Sequence, residues 1–398
     1  MAISNPDQLK AEVDELVPDL IAMRRDLHEH PELAFEEVRT AGMIAQRLRS
    51  LGLEVQMGVA KTGVIGLLRG GASQPGAKTI AIRADIDALP IHELNEIDYR
   101  SQVDGKMHAC GHDGHTAIAV AVATLLSKRR AELNGNVKFL FQPAEERLSG
   151  AKPMLEEGAM EGVDGILGLH LASVYPLGRV GVRAGTVYAS ADRFVFTVHG
   201  KGGHAAMPHE AVDPIVIAAH IMTALQTLIS RETSPFSPAV VTIGTVTAGT
   251  AFNIIPEMAV LQGTLRAFSQ EHRATLLRRM QEVTNGIASA MGGSCQVELF
   301  DGCPPCTNDA AMTAVVHKAA AASVGEQAVD SGEDVMRTAS DDMAYFLTAA
   351  PGCYFVVGAH NKEKGGAYPH HHPRFTIDEG ALPVGVEVLT RAALEFLG

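Results

Sequence analysis

Between Met107 and His115 the chain reads Met-His-Ala-Cys-Gly-His-Asp-Gly-His. Nine residues hold three histidines, a cysteine and an aspartate, and offer almost no apolar bulk. Such a stretch cannot build a core, so any fold containing it must find polar work for it. A thiolate and an imidazole two positions apart, as in Cys110 and His112, are soft and borderline metal ligands. Gly111 and Gly114 let the backbone turn tightly enough for both to face one ion. The plainer reading, a solvated His-rich loop, leaves unexplained why ligand-like groups recur downstream at the ends of apolar runs.

At 398 residues the chain is too long for one ordinary core, and two domains are expected. Its formal charge of -13 argues against a nucleic-acid partner. The polar N-terminus lacks the pattern of a signal peptide, and no run reads as a membrane span. A cytoplasmic protein with its five cysteines reduced is therefore expected, with no membrane partner. Cys303-Pro304-Pro305-Cys306 has metal-like spacing, but no second pair completes a zinc site, so ordinary thiols are the simpler reading.

Helical spacing of Leu9, Val13, Leu16, Leu20, Met23 and Leu27 predicts a helix over 8–27 that Pro18 could break. A second helix, 36–51, ends at Gly52. Strands follow at 53–56, 63–68 and 79–83, then a buried helix at 116–126 and covered strands at 137–141 and 165–169. Strands alternating with helices predict an α/β sheet. After about Val187 the order becomes strand 194–198, helix 212–229, strands 240–246 and 258–268, helix 271–291 and strand 295–300. That is βαββαβ, the ferredoxin-like arrangement. The α/β pattern resumes with helices 309–323 and 341–348, strand 353–357 and a closing helix near 382–396. The expected division is a discontinuous first domain, 1–186 and 304–398, split by an inserted second, 187–303.

Ligands gather beyond the carboxyl ends of strands in open α/β sheets. Asp85 and Asp87 follow one predicted strand, Glu145 and Glu146 a second, His170 ends a third, and His370, His371 and His372 follow a fourth. The adjacent carboxylates are the most informative, because neighbouring side chains on an extended chain diverge. One can bind metal while the other takes a proton from the water that the metal activates. Gly200-Lys201-Gly202-Gly203-His204 lacks the ending of a phosphate loop, which excludes nucleotide binding there. His204, Asn253 and Arg266 are further polar groups of the inserted region, each readable equally as a turn or strand-surface residue.

Taken together, several stretches resemble the amidohydrolase branch of the di-metal aminoacylase/carboxypeptidase family, which includes hippurate hydrolases, N-acyl-amino-acid hydrolases and plant auxin-conjugate hydrolases. They are 25–33, 83–90, the 107–115 loop, Gln142-Pro143-Ala144-Glu145-Glu146, Gly168-Leu169-His170, Gly202-Gly203-His204, Asn253-Ile254-Ile255-Pro256 and His371-His372-Pro373. The resemblance implies a zinc-exopeptidase-like α/β catalytic domain with an inserted ferredoxin-like lid that dimerises. It implies two divalent metal ions per subunit (Zn, Mn, Co or Ni) held by Cys110, His112, Glu146, His170 and His371, the last standing two places before the proline. Glu145 would be the general base, His204 would contact substrate from the partner subunit, and Asn253 and Arg266 would hold the substrate carboxylate. The broader family has His-x-Asp where this chain has Arg83-Ala84-Asp85, so Asp85 either serves catalysis or orients a ligand.

The expected function is metal-dependent hydrolysis of the amide bond of small N-acyl amino acids by a homodimer. Two alternatives stand beside it. Cys110 could be a nucleophile with a neighbouring histidine as base, or the chain could be a metal-binding protein without activity. Glu145 speaks against the last, since ligation alone needs no second carboxylate there.

Overall fold

Buried strands β3 (Thr79–Asp85), β4 (Asn136–Gln142), β5 (Gly165–Pro176) and β16 (Gly352–His360) carry near-continuous apolar runs, and that is how a sheet covered on both faces reads in sequence. In the computed structural model, which describes residues 6–74, 76–364 and 368–398, they form the parallel centre of an eight-stranded sheet. The sheet continues through β2 (Gly63–Leu68) to β1 (Glu54–Val59) at one edge, and through β6 (Val180–Gly181) to β15 (Val329–Asp330) at the other. Contacts divide the chain into two units. The first is drawn from Met1–Val187, Cys306–Met336 and Asp341–Gly398, the second from Tyr188–Pro305 and Arg337–Ser340.

In the first unit, Leu167, Leu169 and Leu171 of β5 alternate into a core shared with α3 (His112–Lys128) and α9 (Ala381–Leu397). On the opposite face Gly168 lies against Met343 of α8 (Met343–Ala349) and Tyr354. Helix α3 is apolar nearly all round and almost wholly buried. Helix α1 (Pro6–Glu29) packs on α3 and α9 through Leu9, Val13, Leu20, Met23 and Leu27. Pro18 lies inside α1 and does not end it. The apolar stripe is buried on both sides of the proline, and that burial outweighs the roughly 3 kcal/mol that an interior proline costs. The remaining helices of this unit are α2 (Val38–Ser50), α4 (Ala151–Glu156) and α7 (Ala310–Val324). A separate two-stranded ribbon pairs β7 (Gly185–Tyr188) with β14 (Cys306–Asn308).

Behind the 107–115 segment lies a buried ionic cluster. Arg24 Nε stands 2.9 Å from Asp113 Oδ2, His28 Nδ1 donates to the same oxygen at 2.8 Å, and His28 Nε2 faces Glu93 Oε1 at 3.1 Å. Burial works against the Asp113 carboxylate, but Arg24 and then His28 override it and hold its pKa far below the carboxylate range. A depressed folded pKa contributes stability that is present above the unfolded value of about 4 and is lost as pH falls through the folded one. Asp113→Asn should therefore lower the melting temperature at pH 7 by the equivalent of about 3–5 kcal/mol, because two buried cations lose their anion. The gap to wild type should narrow in scans taken below about pH 4; a gap constant from pH 7 to pH 3 would show that the charge is not what matters.

The second unit has strands β8 (Ala191–His199), β10 (Ala239–Ala248), β12 (Met258–Ala267) and β13 (Ser294–Cys303), with α5 (Pro214–Thr227) after the first and α6 (Gln270–Ala290) after the third. From one edge the sheet runs β13-β8-β12-β10, antiparallel throughout, which is the fourth-first-third-second order of a ferredoxin-like sheet. Phe194, Phe196 and Val198 of β8 meet Ile217, Ile221 and Leu225 of α5 and Leu276 and Met280 of α6. Asp213 caps α5 by accepting from Ile215 N–H at 2.8 Å, and Pro214 occupies the first turn, where it costs nothing. Together with the wider turn Leu228–Glu232, α5 reaches 19 residues and is long and apolar enough to cross a membrane, where no such run was expected. Its inner face packs in this unit's core. A short ribbon, β9 (Gly203–His204) with β11 (Ile254–Ile255), completes the unit.

Candidate metal centre

Strands β3 and β4 stop level with each other, Asp85 opposite Gln142, and polar chain follows both. Beyond β4 comes a tight turn over Glu145–Arg147, flanked by Ala144 (φ 55°) and Leu148 (φ 50°) in left-handed backbone. That turn sets the two carboxylates apart. His170 does not end its strand, as the sequence suggested. Strand β16 pairs with β5 as far as Pro176, so β5 runs on beyond His170, itself two residues past the last pair with β3. The 107–115 segment is likewise only half a loop, because α3 begins at His112 rather than near Thr116. Gly111 supplies φ 92° at the helix start, and Gly114 lets α3 approach β5 so closely that a Cβ there would lie 2.5 Å from Leu171.

These turns converge on one cluster. Cys110 Sγ lies 3.6 Å from His170 Nε2 and 3.4 Å from His370 Nδ1. His112 donates from Nδ1 to the Asp87 carbonyl at 2.9 Å, which leaves Nε2 pointing inward. Nε2 is 3.6 Å from Asp85 Oδ2 and 3.9 Å from both Glu145 Oε2 and Glu146 Oε1. His170 donates from Nδ1 to Leu171 O, which turns its own Nε2 toward the sulfur. Glu146 Oε2 meets His371 Nε2 at 3.2 Å. Ligand atoms of Cys110, His112 and His170 lie within 4.8 Å of one another, and so do those of Cys110, Glu146 and His371. Cys110 belongs to both triads.

Whether these residues suit a metal can be judged from two buried atoms. His112 Nε2 and Glu146 Oε1 are inaccessible to solvent and have no hydrogen-bond partner. Buried polar atoms without partners are rare in folded proteins, and here both face sulfur, nitrogen and carboxylate donors. Burial lowers the His112 pKa, yet Asp85, Asp87 and Glu146 raise it to about 10, so this pocket attracts positive charge. The donor set of thiolate, imidazole and carboxylate suits zinc and its neighbours in the first transition row. The residues fit divalent metal.

Other charges are tuned around the cluster. Burial, then Asp341, Glu146 and Asp342, push the Glu145 carboxyl well above the usual range. Arg83, fully buried, donates to Asp85 Oδ2 at 2.8 Å and Gln142 Oε1 at 2.7 Å, and pairs with Asp341 at 3.1 Å. Asp342 accepts from the Gly150 and Ala151 N–H groups, and burial raises its pKa to about 7. Burial and the carboxylates of Glu146, Glu145 and Asp85 hold the Cys110 thiol well above its ordinary value. A nucleophilic cysteine needs the opposite setting.

All five expected ligands, Cys110, His112, Glu146, His170 and His371, fall in this cluster, with Glu145 beside them. Asp85 touches it from behind: Oδ1 accepts from His115 Nδ1 at 2.6 Å and Oδ2 binds Arg83. Three further participants hold roles that the sequence did not assign them. Asp87 accepts from Glu146 N–H at 3.1 Å besides facing His112, His115 links Asp85 to the Leu171 N–H, and His370 adjoins the sulfur. Asp87 and His370 stood out in the sequence at strand ends, and His115 in the 107–115 segment, but none was given a role there. His204, Asn253 and Arg266 belong to the second unit. There Ala205 N–H donates to Asn253 O, His204 Nδ1 accepts from Ala206 N–H, and Arg266 donates to Ser340 Oγ.

The profile of the family described as "Peptidase family M20/M25/M40" matches residues 81–395. An N-acetylcysteine deacetylase of Bacillus subtilis is 42% identical over 94% of this chain and 96% of its own. Thermostable carboxypeptidase 2 of Saccharolobus solfataricus is 40% identical over 98% of each chain. A Bacillus subtilis crystal structure described as a dinuclear metal binding peptidase superposes with a TM-score of 0.84 at 39% identity, covering 96% of this chain and 99% of that one.

Proposed function

The chain belongs to peptidase family M20/M25/M40, and on that premise we propose that it is a metal-dependent amidohydrolase cleaving N-acyl amino acids. The two named relatives act on related chemistry. The C-terminal residue of a peptide is itself an acylated amino acid with a free carboxylate, so a deacetylase of N-acetylcysteine and a carboxypeptidase differ mainly in the acyl side. The observation that carries the reading is the pair Glu145 and Glu146. One faces two ligand sets, and the other stands 3.9 Å from His112 Nε2, beside the ligands rather than among them.

Cys110, His112, Glu146, His170 and His371 would hold two divalent ions, with Cys110 available to both. Bound there, the ions supply Lewis acidity that polarises the scissile carbonyl and makes water a better acid. Glu145 takes the proton of the attacking water on a carboxylate oxygen and delivers it to the leaving amine nitrogen. Asp87 fixes the His112 ring and the Glu146 backbone. Asn253 and Arg266 hold the substrate carboxylate. A reducing, cytoplasmic setting would keep the Cys110 thiol available. Assay of purified protein against a panel of N-acyl amino acids, with metal content measured alongside, tests the reading; hydrolysis of esters alone would refute the substrate class.

We further propose a homodimer formed through the second unit, with His204 of one subunit serving the metal centre of the other. Edge strand β10 with exposed Val240 and Val246 supports it. So does the His204 ring: with Nδ1 accepting, Nε2 carries the hydrogen and can donate to the substrate carbonyl or its oxyanion. His204→Ala and Glu145→Gln proteins should each be nearly inactive. Mixed and allowed to exchange subunits, they should recover toward about a quarter of wild-type activity, since half the dimers then hold one intact site of two. Exchange without recovery would place His204 outside the reaction or within its own subunit.

A further inference from the structure

Helix α2 begins in an unusual way. Its first free N–H groups, on Arg39 and Thr40, are taken not by the residue at the helix start but by Glu32 of the preceding loop, at 2.9 and 2.8 Å. Glu37 stands at the cap position and makes no cap hydrogen bond. Its side chain, fully buried, reaches away from the helix instead. Oε2 accepts from Thr62 Oγ1 at 2.5 Å, and Oε1 accepts from the Ala144 N–H at 3.0 Å.

Strained backbone lies at or just before both partners. Thr62 follows Ala60 and Lys61, which are left-handed at φ 48° and 78°, in the hairpin between β1 and β2. Ala144 is itself left-handed and wholly buried, and the next two residues are Glu145 and Glu146. Phe35, two residues before Glu37, is left-handed as well, so four of the six such non-glycine residues among those described lie at or beside this carboxylate. Strained backbone persists only where its surroundings over-determine it. Gly63 closes the arrangement: a Cβ there would lie 3.0 Å from Pro143 Cδ and 2.6 Å from Val59 O, so the hairpin abuts the turn directly.

We propose that Glu37 is a positioning residue for the carboxylate pair: its buried carboxylate, braced by Thr62, fixes the Ala144 turn that aims Glu145 and Glu146. Side chains that orient a metal ligand from behind are worth about 10–100-fold in affinity or activity when removed. The inference rests on the roles proposed above for Glu145 and Glu146. In Glu37→Gln the shape is kept, but the amide offers one acceptor oxygen where two donors wait. The holoenzyme should lose about 10–100-fold in kcat with KM little changed, and chelator competition should show metal affinity weakened in the same range.

Three companions make the result decisive. Ile44→Val removes a buried methylene from the same helix; it should lower the melting temperature while leaving kcat and metal affinity at wild-type values, so matching losses there would assign Glu37 a merely structural role and overturn the proposal. Glu145→Gln is assayed in parallel: if it keeps wild-type kcat, the proposed function and this inference both fall. If it loses turnover while Glu37→Gln keeps wild-type kcat and metal affinity, this inference alone falls. Should Glu37→Gln not fold, Thr62→Val removes the brace and leaves the carboxylate, and is expected to weaken kcat and metal affinity in the same direction by a smaller factor; wild-type values in it would overturn the proposal.

Discussion

Glu145→Gln enzyme should keep its metal and turn over substrate about 10²–10⁴-fold more slowly than wild type, the usual worth of a general base. The amide fills the same space and can still donate to or accept from its neighbours, but it cannot take a proton. The expectation depends on the division of labour in the turn. Glu146 meets His371 and leaves one buried oxygen without a partner, whereas Glu145 lies beside Asp341 and Asp342, which favour its taking a proton. Glu146→Gln should accordingly show the reverse pattern, with weak metal binding and turnover recovered at high metal concentration. Metal analysis of the two proteins after gel filtration, alongside kcat at saturating metal, separates the cases. Equal loss of metal from both variants would mean that the pair acts as one ligand set and that the base lies elsewhere.

Removing the metal should abolish hydrolysis altogether, and Mn²⁺, Zn²⁺ or Co²⁺ should restore it. Stability should fall too. Asp85, Asp87, Glu145 and Glu146 crowd around His112, and without metal ions Arg83 and the neighbouring imidazoles offset just part of their repulsion. A ligand present at a thousand times its dissociation constant stabilises the folded state by about 4 kcal/mol, so the metal-free protein should melt measurably lower, and metal uptake should release protons from Cys110 and the imidazoles. Full activity in verified metal-free protein would refute the reading and return attention to Cys110 as a nucleophile, against the charge around its thiol.

The sequence was most legible where composition conflicts with burial. Cys110, His112 and the Glu145-Glu146 pair stood out because nothing apolar accounts for them, and the βαββαβ order of the second unit was visible from alternating runs and turn residues. Boundaries were less visible. Strand β5 seemed to stop at Leu169 because His170 looks like a strand-ending residue, but the length of β5 is set by pairing with β16, nearly two hundred residues away in the chain. Helix α3 seemed to start near Thr116 because polar residues precede it; its first turn is polar because that turn faces the cluster. Asp87, His115 and His370 were visible as polar groups but received no role, for a common reason. Each acts by touching a neighbour of the cluster, and such contacts depend on strand register, which local pattern does not encode. Glu37 was hidden more deeply, since a glutamate at a helix start ordinarily reads as a first-turn acid facing the helix dipole.

Strand β16 sits between β5 and β6 in the sheet, yet it is made only after the whole second unit has been synthesised. A nascent chain ending near Ser340 thus has a sheet with a missing plank, and both His371 and the closing helix α9 are still to come. The early strands must wait with their hydrogen-bonding edge uncovered while the second unit, continuous apart from a short segment, can already close on itself. Protection by chaperones during synthesis matters most in that interval, and truncations that spare every residue up to Ser340 should yield aggregation-prone protein.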